Sequence, residues 1–290
     1  MRKVTVAAIQ MQCTDSVSGN IQKADSLIRE AASKGAQIIL PPELFERQYF
    51  CQERRYEYYE FAKPVDENDA VCHMQKLAKE LQVVIPVSFY EEGDNQQLFN
   101  TVAIIDADGT NLGIYRKTHI PDDHFYQEKF YFTPGDTGFK AFKTRYGTIG
   151  VGICWDQWFP ECARSMALLG AEILFYPTAI GSEPILECDS MPHWRRCMQG
   201  HSASNIVPVV AANRIGLEEV KPCRENGNQE SSLNFYGSSF ITDSTGEIVE
   251  ELGREQEGII LHTFDLDEIA TDRRSWGLFR DRRKEYYSII

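Results

Sequence analysis

Several features that would assign the chain to a class at once are missing from its 290-residue sequence. No apolar run reaches the roughly 18 residues that indicate a membrane-spanning helix. No Asn-x-Ser/Thr sequon occurs, and the apolar stretch Val4–Ile9 is too short for a secretion signal and predicts a strand instead. We therefore expect no membrane partner and a location in the reducing cytoplasm.

Basic residues and metal-ligand patterns are also scarce. The chain has 30 Lys and Arg against 43 Asp and Glu, a net charge of −13. Such a surface repels a phosphate backbone on average, so nucleic acid is a poor partner and a small cationic or neutral molecule a better one. The eight cysteines include no Cys-x-x-Cys pair, and the spacing of His119 and His124 does not suit metal ligands on one helix face. We expect free thiols, no metal and no cofactor.

The remaining composition is typical of a globular α/β protein. Hydrophobic residues make up 42% of the chain and charged residues 25%, so a large core can form without disulfides. Apolar runs typical of buried strands alternate with helical stripes, and this order occurs twice. The first copy predicts strand Val4–Met11, helix Asn20–Ala32 and strand Ala36–Leu40, and the second predicts strand Thr148–Cys154, helix Pro160–Leu169 and strand Ala171–Tyr176.

Each copy continues with a further helix, a strand and a hairpin whose turn ends in glycine. The helices are predicted at Asp69–Leu81 and His193–Asn205, the strands at Val83–Phe89 and Ile206–Ala212, and the turn glycines are Gly109 and Gly246. The nearly equal spacing of Gly35 with Gly170 and of Gly109 with Gly246 indicates an internal duplication, although simple alternation is common in α/β proteins. Two such sheets must bury their bare faces on each other, which predicts a four-layer α-β-β-α sandwich.

The second half carries two further predictions. The polar stretch Glu218–Ser231 predicts a loop, and residues 1–290 are expected to form one domain. The basic tail 272–290 is either a solvated extension or an arm packed on another subunit. Its last residues favour the arm because they are apolar for a free end: Tyr286, Tyr287, Ile289 and Ile290.

A glycine-rich segment leads to Cys154. Gly147, Gly150 and Gly152 do not fit the dinucleotide-binding fingerprint, because the next required glycine falls on Trp155. Glycines in a strand more often mark the close approach of another segment. We expect such close packing against the strand that leads to Cys154.

Cys154 lies between a predicted strand and a predicted helix, where a rigid side chain can face a ligand. A thiol there acts as a nucleophile if a base removes its proton, and a buried structural cysteine is the common alternative. None of the six histidines fits a cysteine-hydrolase pattern. The candidate base is Glu43, which follows Pro41-Pro42 at the equivalent edge of the first copy, and a solvated carboxylate is its alternative.

Two more charged residues are candidates. Lys117 follows the first hairpin, and its ammonium could stabilise an oxyanion. Glu128 leads an aromatic run. The alternatives are a surface charge for Lys117 and a charge-paired loop residue for Glu128.

In combination, Glu43, Lys117 and Cys154 resemble the Glu-Lys-Cys triad of the nitrilase superfamily. The similarity extends to the stretches 126–132, 134–136 and 213–216, and Glu128 corresponds to the family's second active-site glutamate. The resemblance implies the α-β-β-α sandwich and cofactor-independent hydrolysis of carbon–nitrogen bonds through a cysteine thioester. It also implies self-association into a homo-oligomer, a dimer of sandwiches or an octamer.

Within that family, the stretches 117–122, 126–132 and 177–184 are similar to members that act on a carbamoylated diamine. This implies a small cationic ureido substrate that is split into the diamine, ammonia and carbon dioxide. Members that act on N-carbamoyl amino acids place arginines shortly after the nucleophile. Here those positions hold Gln157 and Trp158, and neither is cationic, so no ion pair with a substrate carboxylate can form there.

The resemblance also implies a role for each site residue. Glu43 takes the thiol proton, Lys117 and the Trp155 backbone N–H stabilise the oxyanion, and Glu128 orients Lys117 or the substrate amide. The acidic loop 182–189 is expected to bind the distal ammonium, unless it merely faces solvent. The substrate-binding candidates are Glu187 first, Glu183 as its alternate, Trp155 and His124.

Two other functions stay open. An ω-amidase or other aliphatic amidase of the same superfamily is the first, and it would need a cationic pocket for the carboxylate of an ω-amide. A catalytically silent member acting as a scaffold is the second, and the filled triad positions weigh against it.

Overall fold

A computed structural model describes residues 1–287 of the chain. The strands are β1 (Lys3–Gln12), β2 (Ile38–Leu40), β3 (Ile85–Glu92), β4 (Leu98–Ile105), β5 (Asn111–Arg116), β6 (Ala141–Thr144), β7 (Gly147–Val151), β8 (Ile173–Thr178), β9 (Val209–Val220), β10 (Ser231–Tyr236), β11 (Phe240–Thr242), β12 (Ile248–Glu251) and β13 (Gly258–Asp265). The α-helices are α1 (Val17–Ser33), α2 (Asp69–Leu81), α3 (Pro160–Leu168), α4 (Met191–Asn205) and α5 (Leu266–Trp276).

The strands follow two paths of the same order. One runs β6-β7-β8-β9-β11-β12, with β7, β8 and β9 parallel and the outer pairs antiparallel. The other runs β13-β1-β2 and continues through a parallel bridge between Ile38 and Val84 into β3-β4-β5. Because β6 and β13 occupy equivalent edges, the predicted duplication is confirmed at the level of strand order. The end of β1 also pairs with β9, where Met11 lies opposite Arg214.

The core has the layers that the sequence predicts. One apolar cluster joins the facing sides of both sheets, for example Val6 and Ile104 with Val151 and Phe175. A second cluster packs α1 and α2 on the outer face of the first sheet, and a third packs α3 and α4 on the second. The four-layer α-β-β-α sandwich is therefore confirmed.

Both hairpin turns dock on a helix in the same way. Gln75 of α2 donates a hydrogen bond to the carbonyl of Gly109 at 3.2 Å, and Gln199 of α4 donates to that of Gly246 at 2.9 Å. Each glycine has a positive φ, and a Cβ on it would lie within 2.7 Å of the backbone of the docking helix. Glycine is thus required at both positions for two reasons: the backbone is left-handed, and the docking helix approaches too closely for a Cβ.

Several predicted boundaries differ from the observed ones, including the following three. β7 ends at Val151, so Cys154 does not end a strand but opens a short 3-10 helix, Cys154–Trp158. The predicted loop Glu218–Ser231 is shorter, because β9 continues to Val220 and β10 begins at Ser231. The tail 272–290 begins inside α5, where Arg273 donates to the carbonyls of Ala167 and Ala171.

The glycines before Cys154 do allow close packing. A Cβ on Gly150 would lie 2.8 Å from Met166 Cβ, and one on Gly152 would lie 2.9 Å from the ring of Tyr176 and 3.0 Å from Cys162 Sγ. Helix α3 and strand β8 therefore press directly on the segment that leads to Cys154. This contact fixes the backbone on which Cys154 is presented.

We predict that Gly150→Ala lowers the free energy of unfolding by about 1–3 kcal/mol, because the added methyl group overpacks the contact with Met166. The control is Gly200→Ala in α4, where nothing outside the backbone of the helix itself lies within 4 Å of the added Cβ. There alanine should raise the free energy of unfolding by about 1 kcal/mol, the difference in helix propensity. Urea unfolding measures both, and stabilisation by both substitutions would contradict the packing argument.

Candidate active site

Cys154 is presented on a sharp backbone turn. Its φ is +41°, a left-handed conformation that costs a residue with a Cβ about 1–2 kcal/mol. The side chain is buried, and Sγ lies 3.9 Å from the carbonyl oxygen of Ala179. Such a strained residue at the bottom of a cavity is typical of a functional site.

A fully buried carboxylate, Asp156, holds this turn in place. Its Oδ2 accepts from the Ile153 backbone N–H at 3.0 Å and from the Tyr115 hydroxyl at 2.7 Å. Its Oδ1 accepts from the backbone and the Nδ1 of His119, at 3.0 and 2.7 Å. The His119 ring in turn stacks on Phe159. Asp156 therefore ties the start of the 3-10 helix to the segment that follows Lys117.

Glu43, Lys117 and Glu128 form a buried charge cluster. The Lys117 ammonium donates to Glu43 Oε1 at 2.9 Å and to Glu128 Oε2 at 2.6 Å, and none of the three side chains is more than 1% exposed. Asn100 Nδ2 also donates to Glu43 Oε1, at 2.7 Å, and the Tyr49 hydroxyl donates to Glu128 Oε1 at 2.7 Å. The cluster lies at the end of β2 and β5, the edge where the sequence predicts it.

Burial and charge set the protonation states of this cluster. Burial opposes the charge on Lys117, but Glu128 and Glu43 outweigh it and hold the pKa of Lys117 well above its ordinary value. Burial raises the pKa of Glu128, and Lys117 offsets only part of that effect. Burial and the Glu43 charge raise the pKa of the Cys154 thiol. The thiol is therefore neutral near pH 7, so attack by sulfur requires a base.

Two neighbouring residues of β9 anchor the loops around the cluster. Arg214 donates to the carbonyls of Glu43 at 2.7 Å and Leu44 at 3.0 Å. Asn213 exchanges two hydrogen bonds with the backbone of Ile180, at 3.0 and 2.9 Å. Both side chains are fully buried. The stretch 213–216, singled out in the sequence, thus fixes the backbone next to the cluster rather than contacting the cavity.

A cavity of about 610 Å³ opens above Cys154 and Glu128. Its walls include Tyr126, Trp155 and Trp158, and its outer part includes Asp123 and Glu183. Among the described residues that line it, none is Lys or Arg. The cavity is therefore aromatic and acidic.

Glu183 is the half-buried carboxylate of this outer part. Burial and the charge of Asp123 raise the pKa of Glu183 to about 7, and a hydrogen bond with Ser190 partly opposes them. The Ser190 hydroxyl also lies 3.3 Å from the Tyr236 hydroxyl. The preceding residue, Asp189, forms an ion pair with Arg254 at 2.6 Å. A bound cation would stabilise the charged form of Glu183.

The predicted site residues separate into two groups. Glu43, Lys117 and Glu128 form the cluster, and Cys154, Trp155 and Glu183 line the adjoining cavity. Glu187 and His124 do not line it. A bridge between Glu183 and Cys188 closes a turn, and Glu187 lies in this turn with a left-handed φ of +49°. Its side chain lines a neighbouring depression. His124 is exposed beside Asp123.

Sequence reasoning missed several contributors. Asn100 and Tyr49 complete the carboxylate contacts, Asp156 holds the turn at Cys154, and Asp123 adds charge to the cavity. The adjacent pair Asp122-Asp123 after Pro121 was a visible signal. No local pattern marks Asn100, which lies inside an apolar strand. Gln157 is buried against the Thr178 hydroxyl rather than exposed to the cavity.

Residues 1–287 contain no group of three His, Cys, Asp or Glu side chains placed to hold a metal ion. In the same part of the chain, no helix is long and apolar enough to cross a membrane.

The fold, the strained cysteine and the Glu–Lys–Glu cluster define a class of hydrolase. Residues 5–274 match the family model described as carbon-nitrogen hydrolase, and the chain belongs to that family. The resemblance to the nitrilase superfamily is thus confirmed. A solved carbon-nitrogen hydrolase from Helicobacter pylori G27 superposes with a TM-score of 0.89 at 33% identity, covering 98% of this chain and 97% of that one.

Two curated relatives are more similar in sequence. N-carbamoylputrescine amidase from Oryza sativa subsp. japonica is 60% identical over 289 residues, which is 99% of this chain and 94% of the relative. Citrullinase from Francisella tularensis subsp. tularensis SCHU S4 is 49% identical over 291 residues, which is 100% of this chain and 99% of the relative.

The strain at Cys154 generates a stability prediction. At ordinary φ, glycine is less stable than alanine by about 0.5–1 kcal/mol, but alanine is penalised at positive φ. We expect Cys154→Gly to exceed Cys154→Ala in free energy of unfolding by about 0.5–1 kcal/mol. In the control pair at Cys162, inside α3, glycine should be the less stable by about 1 kcal/mol. Urea unfolding of the four variants tests this, and the same order at both positions would contradict it.

Proposed function

We propose that the chain hydrolyses N-carbamoylputrescine to putrescine, ammonia and carbon dioxide. The observation that carries the proposal is the acidic, aromatic cavity without Lys or Arg above Cys154. It suits a ureido group at the bottom and an ammonium at the outer end. The name of the 60% identical relative supports the same substrate. This activity would place the enzyme in polyamine biosynthesis.

The first half of the reaction forms a covalent intermediate. Glu43 takes the proton of the Cys154 thiol while sulfur attacks the ureido carbon. The developing oxyanion is stabilised by the Lys117 ammonium and the Trp155 backbone N–H, which lies in the first turn of a 3-10 helix and has no partner within that helix. Glu43 then gives its proton to the departing amide nitrogen. Ammonia leaves, and the alkylcarbamoyl group stays on sulfur as a thioester.

The second half consumes water. Glu43 takes a proton from a water molecule whose oxygen attacks the thioester carbon, and the carbon–sulfur bond breaks with return of the proton to sulfur. The released carbamate loses carbon dioxide to give putrescine. Glu128 accepts from Lys117 at 2.6 Å and lines the cavity, so it orients the ammonium throughout. None of these steps requires a cofactor.

The distal ammonium is assigned to Glu183, with Asp123 beside it. This replaces Glu187, which lines a neighbouring depression instead of the cavity. Trp155 and Trp158, whose ring centroids lie 6.0 Å apart, supply the aromatic wall along the alkyl chain.

Citrulline is the second candidate substrate, because a 49% identical relative is a citrullinase. Its ureido group is the same, but it carries an α-carboxylate as well as an ammonium. That carboxylate would lie among the acidic residues of the outer cavity without a Lys or Arg to pair with. The ω-amides of dicarboxylates meet the same obstacle.

We also propose that the chain forms a homo-oligomer through its carboxyl-terminal arm. Large apolar side chains are exposed where α3 ends and along the tail: Leu168, Leu169, Trp276, Leu278, Tyr286 and Tyr287. The arm residues Ile289 and Ile290 lie outside the described residues. Burial of such a surface against a second copy would remove it from water. Sedimentation velocity of the full chain measures the assembly.

A reducing location, such as the cytoplasm, is proposed because the mechanism requires Cys154 as a free thiol. The other seven cysteines are also free in the structure.

Ammonia release from three substrates tests the function. We expect kcat/KM for N-carbamoylputrescine to exceed that for L-citrulline and for glutaramate by roughly tenfold or more, the worth of one unpaired charge contact at about 1.4 kcal/mol per decade. Cys154→Ala should abolish release while the protein still unfolds cooperatively. A preference for citrulline would assign the chain to the second candidate, and activity in Cys154→Ala would reject the covalent mechanism.

Glu183→Gln tests recognition of the amine. A charge-assisted hydrogen bond is worth ~1.5–3 kcal/mol, so kcat/KM for N-carbamoylputrescine should fall roughly 10- to 100-fold. N-butylurea, which lacks the ammonium, should be affected far less. Glu187→Gln is the matched control on the same loop and should leave both substrates near their wild-type values. Equal losses on both substrates would make Glu183 structural.

The pH dependence gives a second readout. Burial and Asp123 raise the pKa of Glu183 to about 7, so Glu183 gains a proton and loses its attraction for a cation as the pH falls from about 8 to about 6. KM for N-carbamoylputrescine should therefore rise toward acid, whereas KM for N-butylurea should not. If this difference persists in Glu183→Gln, another group is responsible for the pH dependence and the assignment of the ammonium to Glu183 is wrong.

A further inference from the structure

The two carboxylates that bind Lys117, those of Glu43 and Glu128, differ in their other hydrogen bonds. Both oxygens of Glu128 are occupied, Oε2 by Lys117 and Oε1 by the Tyr49 hydroxyl. Glu43 instead receives Lys117 and Asn100 at the same oxygen, Oε1, at 2.9 and 2.7 Å. Its Oε2 is buried and has no hydrogen-bond partner within residues 1–287. Glu43 therefore keeps one oxygen without a donor among the described residues, whereas each oxygen of Glu128 has one.

Asn100 forms hydrogen bonds with both Lys117 and Glu43, the two partners of one of these ion pairs. It lies on β4 and is fully buried, and its backbone carbonyl accepts from the Lys117 N–H at 2.8 Å. Its amide nitrogen must face Glu43, because the flipped amide would place two oxygens against each other. One residue thus fixes the Lys117 backbone and the Glu43 carboxylate together.

The amide oxygen of Asn100 makes no comparable contact. Its Oδ1 is buried without a hydrogen-bond partner among the described residues. The contact between the amide nitrogen and Glu43 is therefore what sets the orientation of this side chain.

We propose that Asn100 is a positioning residue that reserves Oε2 of Glu43 for the thiol proton of Cys154. This rests on the proposed mechanism, in which the proton moves from Sγ to Glu43 as sulfur bonds to the substrate carbon and is then passed to the departing nitrogen. A half-turn of the Glu43 carboxylate only exchanges two equivalent oxygens, but any smaller rotation would break the contacts of both Lys117 and Asn100 with the oxygen that accepts from them. The two donors therefore decide which oxygen is the base.

Two substitutions separate orientation from charge. Asn100→Leu removes both amide atoms at similar volume, and we expect kcat to fall roughly 10- to 100-fold, the effect of a misplaced catalytic group, with KM within about threefold. Asn100→Asp places a second carboxylate against Glu43. The pair should share a proton, so the acid limb of the kcat profile should move to higher pH by about one unit or more.

Thr101→Val is the matched control. Thr101 is the next residue of β4 and is equally buried, but its hydroxyl donates to Glu91 at 2.5 Å, and Glu91 pairs with Arg116 rather than with Lys117. This variant should keep the wild-type kcat and pH profile. If Thr101→Val and Asn100→Leu lose kcat equally and melt at equally lowered temperatures, the role of Asn100 is structural and the proposal is overturned.

A substrate-independent readout keeps this test distinct from that of the proposed function. The rate of alkylation of Cys154 by iodoacetamide also requires removal of the thiol proton, and mass spectrometry of the Cys154 peptide separates it from the exposed Cys188. Asn100→Leu should slow this alkylation while Thr101→Val does not, whichever ureido or amide compound the wild type hydrolyses. Wild-type alkylation and kcat in Asn100→Leu, or an unmoved acid limb in Asn100→Asp, would reject the proposal.

Discussion

A lysine ammonium buried between two carboxylates is the interaction on which this structure depends. Removing such ions from water costs several kcal/mol each, and only close, well-oriented partners repay that cost. Lys117 has them at 2.9 and 2.6 Å. Glu43 follows β2, Lys117 follows β5 and Glu128 opens a 3-10 helix beyond, so the charges are tolerated only if three connections converge at one sheet edge. Cys154 joins them from the other sheet, and packing of the two sheets is therefore a condition of the proposed chemistry.

The two halves of the duplication are connected where the site needs rigidity. Arg214 lies on β9, in the second half, yet it donates to the backbone carbonyls of Glu43 and Leu44 in the first. The neighbouring Asn213 fixes the Ile180 backbone, which lines the cavity beside Cys154. The end of β1 pairs with β9 at the same place. A buried side chain that bonds several carbonyls has little freedom, so both sheet ends keep one relative position.

Sequence patterns predicted the features that depend on neighbours along the chain. Strand and helix periodicity and the turn glycines gave the layers and the duplication, and a family motif brought Glu43, Lys117, Glu128 and Cys154 to attention. The predictions that were wrong or missing concern features that depend on contacts between distant segments of the chain. The strand before Cys154 ends early because Asp156 draws the Ile153 N–H into the turn. Glu183 rather than Glu187 faces the cavity because of the turn between Glu183 and Cys188, which sequence spacing does not show. Asn100 had no local signal, since its partner is distant in sequence.

One physical rule applies at both ends of the cavity and argues for a cationic ligand. A carboxylate taken out of water needs a cation or several donors to stay charged. At the bottom, the chain supplies that cation itself, because Lys117 contacts both Glu43 and Glu128. At the outer end, burial and Asp123 raise the pKa of Glu183 to about 7, and no Lys or Arg is among the described lining residues. A ligand ammonium would restore the same balance there, whereas a ligand carboxylate would worsen it. In the proposed function, a substrate ammonium would thus stabilise the charge of Glu183 as Lys117 stabilises the charges of the carboxylates that it contacts.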